Sequence, residues 1–476
     1  MASVARLRAR IGRVYYGWWI IASTFVLGAL SGGLFWQSNS IFFGPIKEDL
    51  RLNSARTSII FATSRAEGSI AGPLVGRLVD VFGPRPMILV GGLMAGAGYV
   101  LLHRVDSYWV FLAVFVLIVS AGRSAGMGQT LLSAVNTWFV RRRSMAMSIC
   151  ITGFSSGGAV ILPLVTLGVH SLGWRDVMLY SGIFMCVVVV PLALVVRRSP
   201  ESMGLLPDGD EAGDGKDTPA AGPATGEAPV DFSVREALAT GAYWVLLIAT
   251  VLRIGLWGAV SLHMVEIFVW KGADRETAGF LFSLLFFLSV PTRLMAGVLG
   301  DRLPIQPLLG ASMALGGLAT LSLLGLEGNL AVYVFVVLLA LEQGGSTLNW
   351  VLLGNFFGRQ SFATLMGIMS TCFNIGMLVT PIYAGWVFDT TDSYKLVLLT
   401  FAPFYGLAAL FYMGVRKPRP PRRAAHPGTA RRAAKHRCGA LGHRTAGAAA
   451  RPWPPLHAAP EGHPGWCGGP SCGRTG

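Results

Sequence analysis

Apolar residues in this chain come in long runs, and polar residues collect between the runs at a regular spacing. A helix that crosses a bilayer needs about 20 mainly apolar residues. Twelve segments meet that need, at roughly 16–41, 56–78, 87–103, 108–136, 145–169, 176–196, 241–265, 277–298, 306–326, 330–356, 363–386 and 395–415. The pattern breaks at 199–240, which is rich in Gly, Pro, Ala, Asp and Glu, the composition of a flexible linker. That break divides the helices six and six. After Lys417 the chain is mostly Ala, Arg, Pro, Gly and His, a composition expected to stay disordered. The expected organisation is an all-α membrane protein of twelve transmembrane helices. A six-helix bundle spans 1–198, a linker 199–240, a second six-helix bundle 241–416 and a basic tail 417–476.

Composition agrees. Of 476 residues, 53% are hydrophobic and only 13% charged, where a soluble domain carries roughly 25% charged. So few charges could not keep a chain of this length in water. The 60 glycines fit a bilayer, where small residues let helices approach closely. A net charge of +15 raises the question of nucleic acid, but its location answers it. From Arg416 onward the tail holds twelve Lys and Arg against one acid, Glu461. The remaining basic residues lie in short loops. With the N-terminus inside, Arg6, Arg8, Arg10, Arg13, Arg77, Arg85, Arg141, Arg142, Arg143, Arg197, Arg198, Arg302 and Arg359 fall on one side. By the positive-inside rule both termini are then cytoplasmic. Cys150, Cys186 and Cys372 sit in apolar runs as small hydrophobes, and no metal-like CxxC pair occurs. The first apolar run is long enough to span and lacks an obvious cleavage site, so it reads as the first helix.

An internal repeat supports the six-plus-six split. GRLVD at Gly76–Asp80 recurs as GVLGD at Gly297–Asp301. Arg141 in WFVRRR matches Arg359 in FFGR, and Pro163 matches Pro381. Duplicated bundles of this kind bind substrate near the bilayer midplane, between the repeats.

The segment GRLVDVFGPRP at Gly76–Pro86 resembles the loop between helices two and three of the major facilitator superfamily. Gly76, Leu78, Asp80, Gly83 and Arg85 all fit that pattern, and the second copy keeps Gly297, Leu299, Gly300, Asp301 and Arg302. The resemblance implies the major facilitator fold and a gate latched by these loops. A narrower resemblance is to the monocarboxylate porters and oxalate:formate antiporters. It rests on YYGWW at Tyr15–Trp19, FGPIKEDL at Phe43–Leu50, FVRRRSMAMSICITG at Phe139–Gly153, LGWRD, RRSPESMGLLPDG and FDTTDSY at Phe388–Tyr394. The drug/proton antiporter branch usually carries Gly-x-x-x-Gly-Pro in helix five. Here Gly153 and Gly157 fit, but Gly158 stands in place of the Pro.

Ionisable residues at membrane depth are costly and mark functional sites. Arg293 lies eight residues before Asp301, about 12 Å along a helix, and so near mid-membrane. The narrower resemblance implies that Arg293, four residues before Gly297, contacts a substrate carboxylate. A guanidinium suits that role because its fork matches a carboxylate. Ser289 stands where monocarboxylate porters often place an Asp, and helix eleven carries Asn374 and no Lys. Arg123 in SAGRSAGMG is a second candidate, for substrate charge balance or proton coupling, with a structural ion pair as the competing role. Glu342 in LEQGG is a candidate proton carrier or Arg partner. In helix two, Arg65 and Glu67 are two residues apart and do not face each other, so each needs a partner elsewhere. Both are candidates for coupling, and Glu67 is the better candidate to face a cavity. Ser64, Gly68, Gly72 and Gly76 form a small-residue stripe for close packing. Arg253 and His263 in helix seven are weaker candidates, and Trp18, Trp19, Trp244 and Trp270 read as interface anchors.

No phosphate-binding Gly loop with Lys, catalytic triad, zinc site or paired carboxylates stand out. The chain reads as a transporter and not an enzyme, with no cofactor and no metal. Its expected partners are a small organic anion (mono- or dicarboxylate), coupled protons or an exchanged anion, and the lipid bilayer. It is expected to be a monomer in the plasma (inner) membrane. Two other classes remain open: proton-coupled efflux of amphipathic compounds, and a transporter-like receptor that senses a ligand without moving it.

Overall fold

The computed structural model describes residues 15–52, 54–209 and 231–419, with no strand among them. Its long helices are α1 (Gly17–Gln37), α2 (Ser54–Phe82), α3 (Pro84–Leu102), α4 (Tyr108–Trp138), α5 (Arg143–Leu172), α6 (Trp174–Val195), α7 (Gly241–Trp270), α8 (Arg275–Gly300), α9 (Ile305–Gly325), α10 (Gly328–Phe357), α11 (Phe362–Thr391) and α12 (Lys395–Gly414). Among the described residues, eleven are long and apolar enough to cross a membrane. The twelfth, α2, is 29 residues long but carries Arg56, Arg65, Glu67, Arg77 and Asp80, which lower its hydropathy.

Three helices depart from regular α geometry. In α1 the stretch Ser31–Gln37 is π-helical, and a further helix, Asn39–Asp49, continues it. In α4 the stretch Phe115–Ser120 is π-helical and the helix breaks at Gly128. In α10 the helix loosens between Gly344 and Leu348. Such bulges recur at functional sites. Here Trp36, Ser120, Glu342 and Gln343 lie in or beside them.

Two helix crossings join the N-terminal helices α1–α6 to the C-terminal helices α7–α12. In one, α2 lies on α11 so closely that a Cβ on Gly76 would come within 2.3 Å of the Ala363 carbonyl oxygen, and one on Gly367 within 2.2 Å of the Gly72 carbonyl oxygen. In the other, α8 lies on α5, where a Cβ on Gly297 would sit 2.6 Å from Ser148 Oγ. Gly72 and Gly76 of the small-residue stripe thus pack closely on α11, while Ser64 and Gly68 face α4. The described residues, 15–52, 54–209 and 231–419, form one compact unit.

Both ends of the expected linker are held by the helical body. Residues 199–209 and 231–240 are described, and several of their side chains are bonded to the helical body. The Asp208 carboxylate accepts the N–H groups of Val140, Arg141 and Arg142 at 3.0, 2.8 and 3.1 Å. Asp231 Oδ1 accepts those of Arg359 and Gln360 at 2.5 and 3.3 Å, and Phe232 N–H donates to the Phe357 carbonyl at 3.1 Å. Ser233 and Glu236 form a capping box on a short helix, Val234–Leu238. Composition suggested a flexible segment, but it cannot register that an isolated Asp finds unsatisfied N–H groups in a loop. Residues 210–230 and the tail from 420 onward lie outside the described residues.

Candidate functional site

The candidate residues fall into two polar clusters and a gate. The first cluster lies among α1, α2 and α4. Arg123 Nη2 donates to Ser120 Oγ at 3.3 Å, and its guanidinium lies 4.8 Å from the Trp36 ring. Ser120 in turn donates to Glu67 Oε2 at 2.7 Å, and Ser124 donates to the same oxygen at 3.2 Å. Arg123 and Glu67 are therefore brought together through one hydroxyl. Glu67 is half-buried and held by α4. The side chain of Arg65 lies outside the described residues.

The second cluster lies among α7, α8 and α10. Arg293 is 6% exposed, Arg253 7% and Glu342 2%, so all three are withdrawn from solvent. Arg293 donates to Ser155 of α5 and, at 3.2 Å, to Gln343 Oε1. Gln343 donates through Nε2 to Glu342 Oε2 at 2.9 Å. The other Glu342 oxygen lies 3.8 Å from Arg253 Nε. Glu342 thus has a cationic partner, supplied by α7. Sequence reasoning gave Arg253 little weight, because the three helices meet only in the folded structure. Gln343 and Ser155 were missed; the signal for Gln343 was an amide next to Glu342. Ser289 is buried and donates to its own helix at the Phe286 carbonyl, 2.8 Å away. His263 bonds Tyr394 Oη at 3.0 Å and the Pro381 carbonyl at 3.1 Å. A carbonyl only accepts, so Nε2 carries the proton, and the ring ties α7 to α11.

The gate sits at the face where α2 and α8 end and α5 and α11 begin. The first N–H groups of a helix have no partner within it, and a carboxylate satisfies them while matching the helix dipole. Asp80, at the end of α2, accepts from Ala363 N–H at 3.2 Å, Thr364 N–H at 2.8 Å and Thr364 Oγ1 at 2.5 Å. Asp301, at the end of α8, accepts from Ser144 and Met145 N–H at 2.8 and 3.2 Å. Each carboxylate therefore caps a helix of the opposite half. Burial pushes the Asp301 carboxyl above its ordinary range, against the lowering effect of these hydrogen bonds, with nearby Asp208 adding to the rise. Gly83 makes the turn into α3 at φ +88°, a conformation that favours glycine. Arg85 is half-buried and Arg302 exposed.

Further bonds tie the halves together at this face. Arg143 donates to Asn355 Oδ1 at 2.7 Å, Asn136 to the Gly358 carbonyl at 3.3 Å and Arg359 to the Thr137 carbonyl at 2.9 Å. Arg359 also pairs with Glu201 at 2.9 Å. Deeper in, Ser148 bonds Thr347 at 2.9 Å and Thr371 bonds the Ser69 carbonyl at 2.5 Å. The halves are thus laced together from this face inward as far as the Arg293–Ser155 contact.

A chain of long apolar helices, with a half-buried charge cluster in one half, a buried one in the other and paired aspartate caps at one face, is built as a multi-pass membrane transporter. The Major Facilitator Superfamily sequence model matches it over residues 24–270 and again over 242–460. The chain belongs to that superfamily, whose members are transporters and not enzymes. Among its relatives, it is 25% identical over 426 residues to "Monocarboxylate transporter 6" of Homo sapiens, covering 84% of this chain and 80% of that one. It is 26% identical over 181 residues to the "Oxalate:formate antiporter" of Oxalobacter formigenes, covering 38% of this chain and 42% of that one. Its fold is similar to that of the E. coli fucose:proton symporter FucP, with TM-score 0.65 and 14% identity over 84% of this chain and 98% of that one. It is also similar to that of the proton:xylose symporter XylE, with TM-score 0.62 and 15% identity over 84% and 96%.

Proposed function

We propose that this chain is a secondary transporter of small organic anions, carboxylates above all, that works by alternating access. The observation that carries the proposal is Arg293. It is a guanidinium buried at the contact between the halves, held by two neutral groups, Ser155 and Gln343. A carboxylate that displaced the Ser155 hydroxyl would exchange a neutral acceptor for a charged, bidentate one. The similarity to monocarboxylate transporters and to an oxalate:formate antiporter supports the same substrate class.

In this reading α1–α6 and α7–α12 rock as two bundles, and the Asp80 and Asp301 caps hold one face shut. The loop arginines support a reading in which that face, with both termini, is cytoplasmic, and the similarity to monocarboxylate transporters supports a plasma (inner) membrane. Glu67 and Glu342 are the groups that would carry a coupled proton; exchange of one anion for another would need none.

Counterflow in proteoliposomes with a panel of labelled mono- and dicarboxylates tests this. Wild type should exchange at least one acid. Arg293→Gln should lose about tenfold or more, since a hydrogen bond to a charged group contributes about 1.5–3 kcal/mol. Unchanged exchange in Arg293→Gln would remove the anchor. No exchange of any acid by folded protein would remove the substrate class.

A further inference from the structure

Two aromatic pairs, one from each half, accompany the Arg293–Ser155 contact. In the N-terminal half Trp36 and Phe154 meet edge to face at 6.2 Å. In the C-terminal half Trp257 and Phe286 do the same at 6.3 Å. The first pair is tied to the contact through α5, since Phe154 directly precedes Ser155, the group that Arg293 reaches across to. The backbone there is pinned against α1: a Cβ on Gly28 would lie 3.3 Å from Phe154 N. Trp36 lies in the π-helical stretch of α1, with the Arg123 guanidinium 4.8 Å from its ring, a cation–π contact that orients the indole. The second pair is tied to the contact through α8. Phe286 precedes Arg293 by seven residues, about two turns, so both leave α8 on nearly the same face. That face is turned to α5, as the Ser155 bond shows. Phe287, next to it, points elsewhere and is 74% exposed. Phe286 is 38% exposed and Trp36 37%, so part of each ring stays uncovered although each is stacked on a partner. Phe286 also lies about 10 Å farther along α8 from Asp301 than Arg293 does, on the side away from the closed gate.

A guanidinium by itself recognises any carboxylate. The remainder of the substrate must fit the surface beside the guanidinium, and here that surface is aromatic. Flat apolar groups pack well on ring faces and edges, whereas a hydroxyl would lose its water there without gaining a partner. We propose that the transported acid is an aryl-substituted carboxylate. Its carboxylate sits at Arg293, and its ring lies against the Trp36–Phe154 pair and, across the halves, the Trp257–Phe286 pair. This inference rests on the carboxylate reading of Arg293 and adds the chemistry of the rest of the substrate.

The test is counterflow at subsaturating labelled phenylacetate, cyclohexylacetate and propionate, with full-length wild type, Trp36→Leu, Phe154→Leu and Phe286→Leu in proteoliposomes. Cyclohexylacetate matches phenylacetate in size and charge but lacks the aromatic ring. The readout is the ratio of exchange between acids, which does not depend on how much protein has folded. Wild type should exchange phenylacetate about tenfold or more faster than propionate, the order expected from burying a ring, and also faster than cyclohexylacetate. Each Leu variant keeps apolar bulk and loses a ring, and should lower the phenylacetate-to-cyclohexylacetate ratio by about two- to tenfold, the factor that one aromatic pair contributes. Rings that serve packing alone would lower exchange of all three acids together. If a variant does not fold, the order of the acids in wild type carries the test. Propionate exchanged by wild type as fast as phenylacetate, or a ratio unchanged in all three variants, overturns the inference and leaves the carboxylate reading intact. No exchange of any acid by folded wild type overturns both.

Discussion

Replacing Asp80 with Asn isolates the work of one cap on the gate. The side chain stays almost the same size, but the negative charge goes. Asp80 accepts two backbone N–H groups and one hydroxyl from the start of α11. An Asn keeps one acceptor oxygen and turns an NH₂ toward a backbone donor. A hydrogen bond to a charged group contributes about 1.5–3 kcal/mol, a neutral one about 1 kcal/mol, and a charge at a helix N-terminus about 0.3–1 kcal/mol. In the open state water solvates both partners, so the net loss is about 2 kcal/mol. That corresponds to about a thirtyfold shift of the equilibrium toward opening at this face. Asp301→Asn removes the corresponding charged acceptor from the start of α5. Spin labels at Phe82 and Leu303, which are 61% and 48% exposed at the ends of α2 and α8, report the separation of the halves. Wild type should show one short distance dominating, and Asp80→Asn a new longer one. An unchanged distance distribution in Asp80→Asn and in the double Asp80→Asn/Asp301→Asn would refute the claim that these caps hold the face shut.

Four further outcomes follow from the same geometry. Gly76→Val should keep α2 off α11, since even a Cβ would lie 2.3 Å from the Ala363 carbonyl oxygen; the same labels should then report permanent separation and counterflow should stop. Gly83→Ala, at φ +88°, should cost about 1–3 kcal/mol of stability, read as a lower melting temperature in detergent. Burial raises the Asp301 carboxyl in the packed state, so that state binds more protons than the opened, hydrated one; acidification should favour it across the window from the ordinary carboxylate range up to the raised value, read by labels as pH is lowered, and an opening on acidification would contradict it. Glu201→Gln should move the label distances far less than Asp80→Asn, because the Glu201–Arg359 pair is partly solvent-exposed and such pairs contribute at most about 1 kcal/mol.

The rods of the fold were legible because lipid imposes a single length and a single polarity on each. The polar helix α2 was found by its motif and its span length together, since five charges hide it from hydropathy alone. Its glycine stripe gave the packing face, because close approach leaves a mark in residue size. The clusters were legible as single residues and not as sets. Arg293, Glu342, Arg123 and Glu67 each stand out as a charge in an apolar run. That Glu342 pairs with Arg253, and that Glu67 is held by Ser120 and Ser124, depends on three helices meeting, which no local pattern records. The same holds for Asp208 and Asp231, ordinary acids in a Gly- and Pro-rich segment until the loops they cap are in place.

Those two aspartates bear on how the chain could be assembled. Asp208 folds back onto loop 140–142 and Asp231 onto loop 359–360, so each end of the connection is fastened to the half from which it emerges. The stretch between them supplies covalent continuity, while both fastenings survive without it. Two polypeptides, one ending just after Asp208 and one beginning just before Asp231, should therefore each carry a finished edge. Expressed together, they should associate through the α2–α11 and α5–α8 crossings and recover transport.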